Sequence, residues 1–199
     1  LLPELLPAYK KLCPETYFNI HQSDSQGILD KILEGSFNLG LVGMISEDDR
    51  FCFEPFYQDQ MVLITQKNHY FQKLKDNCLP IEQILQTEDL ILREEGSGSR
   101  KFVCELLEKL NIPESSLQVT ARLNQESIKN LVANGLGISV ISKAAACSPG
   151  SDQKLLVFDL PMVADSRSLY LVYHKNFILK PYVHHFMEFV INFYTRSRY

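Results

Sequence analysis

"ILREEGSGSRKFVCELLEKL", Ile91 to Leu110, decides how the rest of the chain is read. Its apolar opening predicts a buried strand. A turn rich in Gly and Ser then breaks the strand. Beyond the turn, Phe102, Val103, Leu106, Leu107 and Leu110 recur at the spacing of one helix face. Strand, turn and helix together make the repeating unit of an α/β sheet. The turn also bears on function. Gly96 and Gly98 let the backbone bend sharply and come close to a ligand. The first amides of the helix have no partners within it, and the helix dipole favours negative charge there. Ser97 and Ser99 add hydroxyls, and Arg100 adds a planar cation suited to a carboxylate or oxyanion. These ingredients fit a small anion. The competing reading makes Ser97 or Ser99 a plain cap and pairs Arg100 with Glu94 or Glu95. Nucleotide motifs do not fit: the P-loop Lys is missing, and Arg100 stands where a dinucleotide loop needs its third Gly.

Outward from this unit, strands and helices alternate. Leu2, Leu5, Leu6, Tyr9 and Leu12 predict a helix that Pro14 ends. "TYFNIHQ" predicts a strand over Tyr17 to Gln22. Ser25 is a candidate N-cap for a helix carrying Ile28, Leu29, Ile32 and Leu33 and stopping at Gly35. "NLGLVGMI" reads as a buried strand, with another near Gln60 to Thr65 and a short helix over Leu79 to Gln86. After the opening unit come the strand "LQVTARL", the helix "SIKNLVANG" and the buried strand "GISVIS". The polar loop "CSPGSDQK", the segments "LLVFDL" and "SLYLVYHK", and a helix beyond Pro181 complete the chain. This order argues for α/β units on a mainly parallel sheet.

Two segments share a plan. Ile28, Ile32 and Gly35 of "SQGILDKILEGSFNLGLVG" match Ile128, Val132 and Gly135 of "QESIKNLVANGLGISVIS" with identical spacing. Either this is what any βαβ unit with a Gly-closed helix looks like, or the chain holds two similar subdomains. In the second case each subdomain places a polar helix start beside a shared cleft, at the carboxyl ends of its strands. Ser23, Ser25 and Gln26 precede one such helix, and Asn124, Gln125 and Glu126 the other. Taken singly, each is more often a cap than a ligand contact.

The net charge of −4 and pI of about 5.7 give no attraction to nucleic acid or an anionic membrane. If the protein acts on DNA, the acting part lies outside these residues. The five cysteines are scattered and include no C-x-x-C pair, which points away from zinc and disulfides and toward a reducing cytoplasm. No apolar run reaches membrane-spanning length. "LLPELL" without a Met marks the chain as an expected piece of something longer. His184 and Glu188 have i,i+4 spacing but no third ligand. Glu94 and Glu95 point to opposite faces of a strand. Cys104 reads as a small core residue. Neither a catalytic constellation nor a cofactor motif is present.

"LLPELLPAYKKLCPETYFNI", "ILDKILEGSFNLGLVG", "LILREEGSGSRKFVCELLEKLNI" and "ESIKNLVANGLGISVIS", in this order, resemble the effector-binding domain of LysR-type transcriptional regulators over nearly the whole chain. The resemblance implies two Rossmann-like subdomains with type 2 periplasmic-binding-protein topology, joined by two crossover strands. Subdomain I would take residues 1–66 plus 168–199, and subdomain II residues 67–167. A small anionic effector would bind between them, at positions matching Ser25, Ser97 to Arg100, and Asn124 to Glu126. The version "REEGSGSR" is most like members that control sulfur assimilation or carbon fixation. That suggests a sulfur oxyanion, phosphate or sugar phosphate. The family also implies a homodimer or tetramer and a cytoplasmic location. An N-terminal winged helix-turn-helix that alone binds DNA, and a strand ahead of "LLPELL", would lie outside these residues. The alternative is a free-standing solute-binding protein of the same topology that serves a transporter. A third class, an enzyme on this fold, would need an acid or base in the cleft.

Overall fold

A computed structural model describes residues 1–147, 154–160 and 166–196. The chain divides into two compact units, residues 1–58 with 168–199 and residues 59–167. The first division falls at Gln58/Asp59, upstream of the expected 66/67. The reason is pairing: Met61 to Gln66 already join strands of the second unit.

In unit 1, α1 (Leu2–Leu12) buries Leu5 and Tyr9 and lies against α8 (Pro181–Arg196). Leu5, Val183, Met187, Val190 and Tyr194 share one apolar core. Rings of Phe186 and Phe189 meet Tyr9 edge-on, and the Tyr9 hydroxyl is hydrogen-bonded to His185 Nδ1 at 2.9 Å. A second core forms where α2 (Ser25–Leu33) covers β1 (Gly40–Val42), with Leu29, Ile32, Val42 and Val172 buried together. Strand β1 pairs antiparallel with β7 (Ser166–His174), Leu41 opposite Leu171. Beside β7 runs β2 (Phe51–Gln66).

Two local expectations for unit 1 need correction. Tyr17 to Gln22 forms no strand. Among the described residues its amides and carbonyls have no hydrogen-bonded partner, and a strand exists only through its neighbour. The segment borders an apolar groove of about 1070 Å³ lined by Leu6, Tyr9, Phe18, Ile28, Leu41 and Phe186 among others. The helix cap is also one residue earlier than expected. Asp24, not Ser25, accepts the Gly27 amide at 2.7 Å.

Unit 2 holds the rest of β2, then α3 (His69–Asp76), α4 (Ile81–Thr87), β3 (Leu90–Arg93), α5 (Gly98–Lys109), β4 (Val119–Leu123), α6 (Gln125–Ala133), β5 (Ser139–Ser142), α7 (Lys143–Ala146) and β6 (Leu155–Asp159). Strands β3 and β4 are parallel, Arg93 opposite Leu123. On the other side of β3, the Ile91 amide donates to the Ile138 carbonyl and the Ile138 amide to that of Asp89, both at 2.8 Å, which brings in β5. Strand β2 then pairs antiparallel with both β5 and β6. The sheets are therefore mixed rather than mainly parallel, because the chain passes between units on β2 and β7 and these run against their neighbours. Both faces of β2 are covered here. Met61 and Leu63 enter the core under α4 and α5, while Val62 and Ile64 enter the core under α6.

Helix α3 is not predicted by periodicity. Its only well-buried side chain is Phe71, too little to make a stripe, and the start signal is the Asn68 cap on the Phe71 amide at 2.9 Å. The expected loop "CSPGSDQK" falls largely on 148–153, outside the described residues. The two matched segments do share a device. Gly35 (φ +72) and Gly135 (φ +84) end α2 and α6 with the same pair of bonds. Gly35 donates to Ile32 and Ser36 to Lys31, as Gly135 does to Val132 and Leu136 to Leu131. This is the Schellman closure, in which the left-handed residue favours Gly.

Candidate functional site

Three strands of unit 2, β4, β3 and β5, end at one edge, and two helices of some length start there. Helix α5 follows β3 after the turn, and α6 follows β4 directly. In a parallel sheet this carboxyl edge is where ligands bind. At α5 the cap is Ser97, whose Oγ accepts the Ser99 amide at 3.2 Å, while its own amide donates to the Glu94 carbonyl. Ser97 is 3% exposed and Ser99 2%. Among the described residues the amides of Gly98 and Arg100 meet no acceptor, so donors with a favourable dipole behind them are available.

Arg100 is not among the groups gathered at that helix start. Its Nη1 lies 3.1 Å from Cys104 Sγ, one turn along α5, and its Nη2 donates to Glu114 Oε2 at 2.6 Å. Arg122 donates to the other oxygen of Glu114 at 3.1 Å. These bonds, Arg100's first, hold the Glu114 carboxyl below its ordinary value. The expected alternative partners, Glu94 and Glu95, are not used. Cys104 is half-buried rather than core.

The cation at the edge is Arg93, the last residue of β3, which is absent from the candidates that motif spacing singles out. Its side chain is 13% exposed. Its Nε and Nη2 hold the Glu94 carboxylate at 2.8 and 2.7 Å, and its Nη1 donates to Gln125 Oε1 at 3.2 Å. Arg93 thereby links the end of β3 to the start of α6, and its bonds pull the Glu94 carboxyl below its ordinary value. The signal was an Arg closing the apolar run "LILR": a charge at a strand's carboxyl tip, next to the turn.

The remaining candidates divide by role. Asn124 caps α6 through the Ser127 amide at 3.0 Å, and Glu126 points to Lys129 at 3.0 Å. In unit 1, Ser25 is buried and its Oγ accepts the Gly43 amide at 3.2 Å, tying the start of α2 to the turn after β1. Gln26 donates to Asp30 on its own helix. Ser23 Oγ fills the space over Gly27, where a Cβ would come within 2.2 Å of it. Gly96, Ser97, Gly98, Ser99 and Gln125 thus lie at the unit 2 edge together with Arg93, while Ser23, Ser25 and Gln26 lie at a helix start of unit 1. Among the described residues no group of His, Cys, Asp and Glu could hold a metal ion, and no helix is long and apolar enough to cross a membrane.

Residues 1–194 match the family model described as the LysR substrate binding domain. Among curated relatives, the HTH-type transcriptional regulator CysL of Bacillus subtilis is 26% identical over 145 residues, 72% of this chain and 46% of its own. The chain spans 46% to 63% of the length of the first relatives it matches. Of solved structures, the effector-binding domain of QuiR in complex with shikimate aligns with a TM-score of 0.81 at 19% identity, over 98% of this chain and 90% of that one. The regulatory domain of CcmR from Synechocystis, in complex with 2-PG, aligns at 0.79 and 24% identity, over 96% and 90%. These likenesses confirm the type 2 periplasmic-binding-protein fold of the LysR effector domains.

Proposed function

On the premise that this chain belongs to the LysR substrate-binding-domain family, we propose that its ligand is a small anion held at the carboxyl edge of unit 2. The family is one of transcriptional regulators, not enzymes. The observation that carries the reading is the junction of β3, α5 and α6. Two helix starts lie at one strand edge, the Gly98 and Arg100 amides opening the longer helix meet no acceptor among the described residues, and the Arg93 guanidinium ties the end of β3 to the start of α6. An anion there would accept from the Gly98 and Arg100 amides and compete with Glu94 for the Arg93 guanidinium. Each hydrogen bond to an ion is worth about 1.5–3 kcal/mol. Shikimate and 2-phosphoglycolate, the ligands of the two structural neighbours, both carry anionic groups.

In the full-length regulator, anion binding would favour one arrangement of a homodimer or tetramer over another and so reset the attached DNA-binding parts. The size of that shift is limited by the anion's differential affinity for the two states. The site of action would be the cytoplasm, where such DNA is found. Sulfate, thiosulfate, sulfite, phosphate and sugar phosphates, with shikimate and 2-phosphoglycolate, form the panel for a thermal-shift screen, since a bound species stabilises as ln(1 + [L]/Kd). Calorimetry on a hit should give an affinity about tenfold or more weaker in Arg93→Gln. A panel without any stabilising anion, or an Arg93→Gln variant that binds as tightly as the parent, overturns this assignment.

A further inference from the structure

Asp59 is 1% exposed and plays no part in the site above. Its Oδ2 accepts from Arg167 Nε at 3.2 Å and Nη2 at 3.1 Å, and its Oδ1 accepts from the Ser142 hydroxyl at 2.7 Å. Arg167 is itself 14% exposed. Withdrawing two charges from water is costly, and an apolar pair of similar volume often serves stability as well or better. Stability alone therefore does not account for an ion pair in this place.

The place is specific. Asp59 and Arg167 are the first and last residues of unit 2. The polypeptide enters on β2 and leaves on β7, and these two side chains hold the crossings together. Ser142 is the last residue of β5, one of the strands that end at the candidate site. Next to it, Lys143 donates to Gln60 Oε1 at 2.9 Å. Neighbours on a strand face opposite ways, so Asp59 and Gln60 tie both sides of β2 to the junction of β5 and α7. Burial lowers the Arg167 guanidinium from its ordinary value, Asp59 opposes that shift, and the charge of Arg93 adds to it. The clasped cation thus lies within the electrostatic reach of the cation at the candidate site.

We propose that Asp59, Ser142 and Arg167 form a clasp binding both strand crossings of unit 2 to the carboxyl end of β5, so that a displacement of the ligand edge leaves the unit through one fixed point. The mention of a ligand edge rests on the function proposed above, whereas the clasp itself does not. All three are positioning residues: none is required to touch the anion.

Hydrogen exchange by mass spectrometry on the 199-residue chain tests it. Ser142→Ala keeps the ion pair but leaves one Asp59 oxygen without its donor. It should speed exchange about tenfold at the crossings, residues 58–60 and 166–169, and leave β4 and α6 unchanged. Ser142→Thr keeps a hydroxyl and should stay close to the parent. Asp59→Asn and Arg167→Gln should each act in the same direction, and together by less than the sum of their effects. Unchanged exchange at the crossings in Ser142→Ala overturns the clasp. So does an equal rise throughout unit 2, the mark of a pair that only stabilises. Should Asp59→Asn fail to fold, the two Ser142 variants still decide. No ligand is needed, so loss of the clasp appears in exchange and loss of the effector reading in the anion titrations.

Discussion

At the residue scale, two arginines exchange roles. Arg100 follows a Gly-Ser turn and looks like the ligand's cation, yet its charge is committed to Glu114. Arg93, at the end of the apolar run, is the one at the edge, where it is paired with the neighbouring Glu94. Arg100→Gln should therefore change anion affinity by less than about twofold while Arg93→Gln costs about tenfold, both read by calorimetry on one ligand. The opposite order would restore Arg100 to the site. Glu114 yields a pH prediction. Its folded-state pKa lies below the ordinary 4.5, so its ion pairs stabilise the protein above that value and cease to do so as pH falls through the folded value. Glu114→Gln should thus lower the thermal midpoint near neutral pH, and the gap from the parent should close in acid below 4.5. A gap that persists there would mean that packing, not charge, is what the substitution removes. Spacing in the sequence showed which cations were available; it could not say which acid each would find, since Arg100 and Arg122 meet on Glu114 only through the fold.

At the element scale, helix closure is where sequence and structure agree most closely. Gly35 and Gly135 stand at matched positions and adopt the same left-handed conformation. Nothing lies within 4 Å of a Cβ built on Gly35, whereas one on Gly135 would come within 3.0 Å of Gln66 Oε1. Gly35→Ala should cost about 1–2 kcal/mol from backbone conformation alone, and Gly135→Ala at least as much, by urea unfolding. A neutral Gly35→Ala would show that the turn relaxes to another closure. Strand expectations were less secure. The apolar alternation of "TYFNIHQ" is real, but alternation describes a side-chain pattern, and a ladder needs a second backbone. Helix α3 fails in the other direction: its stripe is too thin to read, and a single Asn cap with one buried Phe suffices in context.

At the scale of the molecule, the acidic chain carries no electrostatic footprint for DNA. Fluorescence anisotropy at roughly physiological salt should register no binding of duplex DNA to these 199 residues, and micromolar binding would contradict the charge argument. What the sequence by itself determined is the order of its elements, the family they spell out, the paired Gly closures and the turn before α5. These depend on local propensity and periodicity, which are properties of consecutive residues. Only the tertiary structure decided that the sheets are mixed, that unit 2 begins at Asp59, and that Arg100 turns to Glu114 while Arg93 links the end of β3 to the start of α6. Only it brought Asp59, Ser142 and Arg167 together. Their separations along the chain are large, and contacts between distant residues arise from which strands become neighbours, a choice made by burial on both faces of β2 rather than by any local signal.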